Sequence, residues 1–79
     1  MPDDASTRPL RALRAERVLS IRELARLAGV APSTIYLIEA GRTTPHASVM
    51  RRIAAALRVG AHEVEEFRRA IEVHAGPAR

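Results

Sequence analysis

The chain has 79 residues, 47% of them hydrophobic, and 13 basic against 9 acidic side chains give it a net charge of +4. That length predicts one domain with a small core, burying only about 60% of its unfolded surface, so modest stability or help from dimerisation is expected. The absence of Cys excludes a disulfide framework and a thiolate metal site, there is no apolar run of about 18 residues to span a membrane, and MPDDAS at the start lacks the pattern of a signal peptide, which leaves the cytoplasm as the expected compartment.

In chain order, residues 1–8 are expected to form a disordered arm, followed by a single domain over 9–74 and a frayed tail over 75–79. Thr7 is placed to cap a first helix, with Pro9 in its opening turn and Leu10 and Leu13 on one face. Arg11, Arg14 and Arg17 recur every third residue, which fits either a DNA-facing ridge or an exposed solubilising face. Ser20 and Glu23 have the spacing of a capping box, in which hydroxyl and carboxylate each satisfy a free backbone N–H, so a second helix should begin at Ile21. Leu24, Leu27 and Ala28 have the spacing of a buried stripe, with Arg22 and Arg26 outside it.

Gly29 tolerates positive φ and ends that helix; the chain turns through Val30 and Ala31, and Pro32 suits the first turn of the next. Gly41 is placed to end it. Two helices of roughly nine residues around a turn of about three residues containing Gly form a helix-turn-helix pattern. At about 100° per residue, Ile35 and Ile38 share a buried arc with Glu39 at its edge. Ser33, Tyr36, Leu37 and Ala40 fall on the opposite arc. None of these can make the bidentate contacts by which Arg reads guanine or Asn and Gln read adenine. Ser33, Thr34 and Tyr36 can hydrogen-bond, and Pro32 or Leu37 can touch a thymine methyl. Tyr36 and Leu37 fit three readings: DNA contact, a protein-binding patch, or packing under a loop.

After a polar turn from Gly41 to Pro45, Val49, Met50, Ile53, Ala54 and Leu57 form a core stripe on a helix from about His46 to Leu57, with Arg51, Arg52 and Arg58 outside. Val59 and Gly60 should break the chain. A fifth helix from about His62 to His74 is expected to bury Val64, Phe67 and Ile71, with Arg69 pairing to Glu65 or Glu66. Ala70, Ile71 and Val73 offer an edge for dimerisation. Residues 1–60 are basic and 61–79 slightly acidic, which suits a polyanion partner for the first part and a protein partner for the second.

Leu19-Ser20, Glu23-Leu24-Ala25, Ala28-Gly29-Val30, Ser33-Thr34-Ile35, Ile38-Glu39, Gly41-Arg42, Pro45 and Ala56-Leu57 with Val59 together resemble the DNA-binding domain of the phage repressor and Cro (XRE-like) family, over roughly residues 9–67. The resemblance implies an all-α, five-helix domain of the lambda-repressor-like type, with its second and third helices forming the helix-turn-helix. It also implies that Arg14 pairs with Glu39 as a structural ion pair, and that Arg42 and Thr43 touch the phosphate backbone. Where the family often has Gln, this chain has Ile21, and it has Pro32 and Leu37 where polar or basic residues are common. Backbone amides near Ile21, reinforced by Arg22 and beside Ser20, would then hold a phosphate.

The DNA-binding set expected from sequence is therefore Ser20, Ile21, Arg22, Pro32, Ser33, Thr34, Tyr36, Leu37, Arg42 and Thr43. The expected function is sequence-specific binding of a double-stranded operator as a homodimeric transcriptional regulator of the repressor type. With no sensor domain in the sequence, control would come through concentration or a second protein. Two alternatives remain open: an antitoxin that regulates its own toxin pair, and an interaction adaptor that kept the fold. His62-Glu63 lacks the second His of a zinc-protease helix, and there is no Gly-rich phosphate loop or activated nucleophile, so no enzyme, metal or cofactor is expected.

Overall fold

The computed structural model describes residues 7–75, with side chains as far as Val73. It is all-helical: α1 (Leu10–Glu16), α2 (Ile21–Ala28), α3 (Pro32–Glu39), α4 (Ala47–Leu57), a 3-10 turn at Ala61–Glu63, and α5 (Glu65–Ala75). The expected disorder of Met1–Ser6 and the fraying after residue 75 lie outside the described residues; Ala75 itself still belongs to α5.

The middle of the chain forms from local signals. The Ser20 hydroxyl accepts the Glu23 amide at 3.0 Å while the Glu23 carboxylate accepts the Ser20 amide at 2.8 Å, which satisfies two backbone donors at the start of α2. Gly29 ends α2 at φ 73, in the left-handed region that a Cβ disfavours. The Val30 amide then reaches back to the Ala25 carbonyl at 3.0 Å. Pro32 opens α3, and Gly41 at φ 72 closes it, with the Arg42 amide on the Leu37 carbonyl at 2.9 Å.

The ends of the chain are organised differently from what the sequence predicts. Thr7 does not cap α1, and Pro9 is not inside it. Pro9 is the N-cap residue and its ring carries no hydrogen-bond acceptor, so the Leu10 amide is capped instead by Glu66 Oε1 of α5 at 2.8 Å. The Thr7 hydroxyl accepts from Arg68 Nη1 at 2.7 Å. Arg8, assigned from sequence to a disordered arm, is held between the Glu63 carbonyl (2.9 Å) and the Glu65 amide (2.8 Å) in an isolated parallel bridge with Val64. That bridge keeps Val64 extended, at φ −99 and ψ 120, so α5 starts at Glu65 rather than near His62.

One apolar cluster joins all five helices: Leu10 and Leu13 from α1, Leu24, Ala25 and Ala28 from α2, Ile35 and Ile38 from α3, Met50, Ile53 and Leu57 from α4, and Phe67 and Ala70 from α5, with Val64 beside them. Two expected stripes are phased wrongly. Leu27 is 60% exposed, and Ala25 is buried in its place. On α2 the buried face is centred between Leu24 and Ala25, and Leu27 lies about 110° from that centre, reckoned at about 100° per residue. Ile71 is 41% exposed while Ala70 is buried. Val64 stands outside the helix, so a helical count that starts there carries a false phase into α5.

Among the described residues two non-glycines take left-handed backbone, Val18 (φ 54) after α1 and Arg58 (φ 61) after α4. The reversal after α4 is made by Arg58, and Val59 and Gly60 form the expected break before the 3-10 turn, Gly60 with an ordinary φ of −78. The expected pairing of Arg69 is with Glu65, at 2.7 Å; Glu66 is engaged at Leu10.

Candidate nucleic-acid interface

Helix α3 is held from two sides. Arg14 of α1 grips Glu39 near the end of α3 in a two-pronged pair, Nε to Oε2 at 2.8 Å and Nη2 to Oε1 at 3.0 Å. Its remaining nitrogen donates to the Leu19 carbonyl at 3.0 Å. The side chains are 17% and 11% exposed, so the charges are well shielded from water and geometrically matched. Hydrogen bonding to Glu39 raises the Arg14 pKa above its ordinary value, against the opposing effect of burial. On the other side, Arg52 of α4 donates to the Gly29 carbonyl at 3.2 Å and ties down the turn between α2 and α3. No spacing rule in the sequence points to that contact.

The outward arc of α3 is open. Pro32, Ser33, Tyr36, Leu37 and Ala40 are exposed, with Tyr36 at 57% and Leu37 at 37%. Thr34 is half-buried, and Ile35 and Ile38 face the core. Arg42 and Thr43 are exposed in the turn that follows. Thr43 also lines a groove against α5 with Ile38, Glu66, Ala70 and Val73, so it stands on the flank of α3 nearest α5.

At the start of α2, Ser20 and Arg22 are exposed, and Ile21 is half-buried and packs against the core. The side chain that replaces the family's common Gln thus points to structure and leaves only its amide for a ligand. Ser20 uses its hydroxyl oxygen as an acceptor in the capping box, and its O–H remains able to donate. Arg22 and Pro32 meet across a shallow depression between α2 and α3, which Arg26 and Val30 also line. Ile21 and Tyr36 meet across a second one, shared with Arg11, Arg14, Glu39 and Ala40. Arg26 and Arg11 are not among the residues expected to bind; each stands beside one that is.

The arginines divide into two groups. Arg8 pairs with Glu16, Arg14 with Glu39, Arg69 with Glu65, Arg52 and Arg68 hydrogen-bond as described, and Arg17 donates to the Leu57 carbonyl at 2.8 Å and the Leu13 carbonyl at 3.1 Å. Among the described residues, Arg11, Arg22, Arg26, Arg42, Arg51 and Arg58 have no such partner. Arg11, Arg22, Arg26 and Arg42 belong to the helix-turn-helix, its depressions and the turn beyond it. Unpaired, solvated guanidinium groups in that position provide positive potential beside an open helix face.

Among the described residues there is no group of three or more His, Asp or Glu side chains that could hold a metal, and no helix is long and apolar enough to cross a membrane. Two helices joined at a left-handed glycine, the second pinned by an internal ion pair and open on its outer face, define a helix-turn-helix protein, a class whose second helix docks on DNA. Residues 7–67 match the helix-turn-helix domain family, well over half of the chain, and the protein belongs to that family. No curated protein and no solved structure matches the chain.

Proposed function

We propose that the protein is a transcriptional regulator of the repressor type, which binds a double-stranded operator as a homodimer in the cytoplasm, with α3 in the major groove. The observation that carries this reading is the open arc of α3 flanked by unpaired Arg22 and Arg42. In this reading Arg22, the Ser20 hydroxyl, the Ile21 amide, Arg42 and Thr43 hold phosphates, Pro32, Ser33, Thr34 and Leu37 meet the groove, and Tyr36 touches the duplex from the same open face. It is a binding function without catalysis or cofactor. Ile71 and Val73, 41% and 68% exposed on α5, favour a protein contact there, and a second copy of the chain is the partner that operator symmetry calls for. A toxin seated on the same edge is the alternative reading.

Selection from a random duplex pool tests the proposal. A two-fold motif with half-sites about one helical turn apart supports a dimeric regulator; no enrichment supports an adaptor. Phosphate charge is the same beside every base pair, so Arg42→Ala should weaken selected and random duplexes alike and make the slope of log K against log salt shallower by about 0.9. Leu37→Ala should instead narrow the gap between the two duplexes with the slope nearly intact.

A further inference from the structure

The depression between α1, the start of α2 and α3, about 290 Å³ in volume, has an unusual charge balance. Its charged side chains are Arg11, Arg14 and Glu39, and the bidentate Arg14 pair neutralises Glu39 internally. One positive charge, that of Arg11, is left over. The arginines spaced every third residue along α1 are thus not equivalent: Arg14 and Arg17 are consumed by Glu39 and by backbone carbonyls, and Arg11 alone is exposed without an acceptor among the described residues. Across the depression stands Tyr36, 57% exposed, with a hydroxyl that can donate. Ile21 and Ala40 complete an apolar wall that offers no competing acceptor.

Resting on the DNA-binding reading above, we propose that Arg11 and Tyr36 grip a backbone phosphate of the bound duplex in this depression. The contact at Tyr36 is then one of positioning, and base reading falls to Pro32, Ser33, Thr34 and Leu37. The geometry favours this division. In a docked helix-turn-helix the N-terminal residues of the motif's second helix, here α3, reach base edges while its first helix, here α2, crosses the backbone, and Ile21 at the start of α2 lines this depression. Tyr36 is half a helix further along α3 from Pro32, and Arg11, which lines the same depression, belongs to α1. A planar guanidinium and a hydroxyl carried by two helices at the rim of one depression suit a tetrahedral oxyanion better than the edge of a single base.

The test is binding of the whole chain to a random-sequence duplex and to a duplex enriched by selection, each over a range of salt concentrations, with circular dichroism confirming that every variant is folded. Arg11→Ala should weaken both duplexes and make the salt slope shallower by about 0.9, the change for one lost phosphate contact. Arg51→Ala removes the same charge from α4, outside the depression, and should leave the slope unchanged. Tyr36→Phe keeps the ring and removes the hydroxyl; it should weaken both duplexes by the same factor, about tenfold, as for one hydrogen bond to a charged group, with no change in slope. An unchanged slope in Arg11→Ala, an equal change in Arg51→Ala, or a Tyr36→Phe effect confined to the selected duplex overturns the grip. If Arg42→Ala still weakens both duplexes in that event, the DNA-binding reading survives it. Failure of the unaltered chain to bind either duplex overturns both.

Discussion

The segment from Ser20 to Gly41 and the closure between residues 7–10 and 63–68 solve the same problem in opposite ways. Both must satisfy the backbone donors and acceptors at helix ends. In the first, the devices that start and stop the helices are local: the Ser20 and Glu23 box, Gly29, Pro32 and Gly41 act within a few positions of the groups they serve, and Arg52 adds a hydrogen bond to the Gly29 carbonyl from α4. In the second, Glu66 caps Leu10, Arg68 holds Thr7 and Arg8 bridges to Val64, across nearly the whole chain. A local cap forms as soon as its helix does. A cap from a distant residue forms only after the loop between them has closed, a cost that the core must first offset. The recognition elements are therefore built to be specified early and locally, and the outer clasp depends on the packed domain.

The strongest way to break this contrast is to remove what holds the clasp in place. Phe67 is fully buried and is the chain's only Phe. Phe67→Ala should cost about 3–5 kcal/mol, a large part of the stability of so small a domain, and lower the urea midpoint accordingly. A loss under about 1 kcal/mol would mean that α5 is not part of one cooperative core.

Next in size is the Arg14 and Glu39 pair, which joins the locally built segment to α1. Arg14→Ala and Glu39→Ala should each cost about 2 kcal/mol, because each leaves a shielded charge without its partner. The double variant should be less destabilised than the sum, by about 1 kcal/mol. Strict additivity in thermal or denaturant unfolding would show that the pair does not interact.

Replacing a local cap and a distant one sharpens the contrast. Ser20→Ala and Glu66→Ala should each cost about 1 kcal/mol, but hydrogen exchange should separate them. The first should speed exchange at the Glu23 amide alone. The second should expose the Leu10 amide and, with it, the Arg8 and Glu65 amides of the bridge. Faster exchange confined to α5 in Glu66→Ala would remove the case for a cap that spans the chain.

The same division explains what was legible in the sequence. The helix-turn-helix was readable because glycines, a proline and a capping box mark its ends within a few residues, and helical geometry alone places Tyr36 and Leu37 outward. The extended conformation of Val64 was not readable, since it is imposed by Arg8 at the other end of the chain. Leu27 was misplaced because a stripe of Leu24, Leu27 and Ala28 satisfies the helical period as well as the real one does; the choice was made by Ala25, whose small side chain is accommodated within the core. In the candidate site, the residue types were visible and their allocation was not. Arg11, Arg14 and Arg17 look alike along α1, and only the carbonyls of Leu57 and Leu13 and the carboxylate of Glu39 reveal which are spent on structure.

The smallest effect expected is also the most local. The Glu23 carboxylate accepts the Ser20 backbone amide and carries its pKa below the ordinary glutamate value, chiefly through that hydrogen bond and then through the Ser20 hydroxyl interaction. A carboxyl whose pKa is lower folded than unfolded binds fewer protons in the folded state, so between the two values stability rises with pH. The contribution is complete above the unfolded pKa, and it disappears as pH falls through the lowered folded value. Glu23→Gln removes this titration while keeping an acceptor of similar shape at the same position. The stability gap between the two proteins should therefore be widest at neutral pH and should close on acidification below the usual carboxylate range, a trend that denaturant unfolding at a series of pH values can measure. Because the group is fully solvated, high salt should leave most of the difference in place if the hydrogen bond to the Ser20 amide is its source, whereas a gap that vanished in salt would point to the nearby Arg26 charge instead. A gap that did not depend on pH at all would show that the box at the start of α2 holds Glu23 no more firmly than the unfolded chain does.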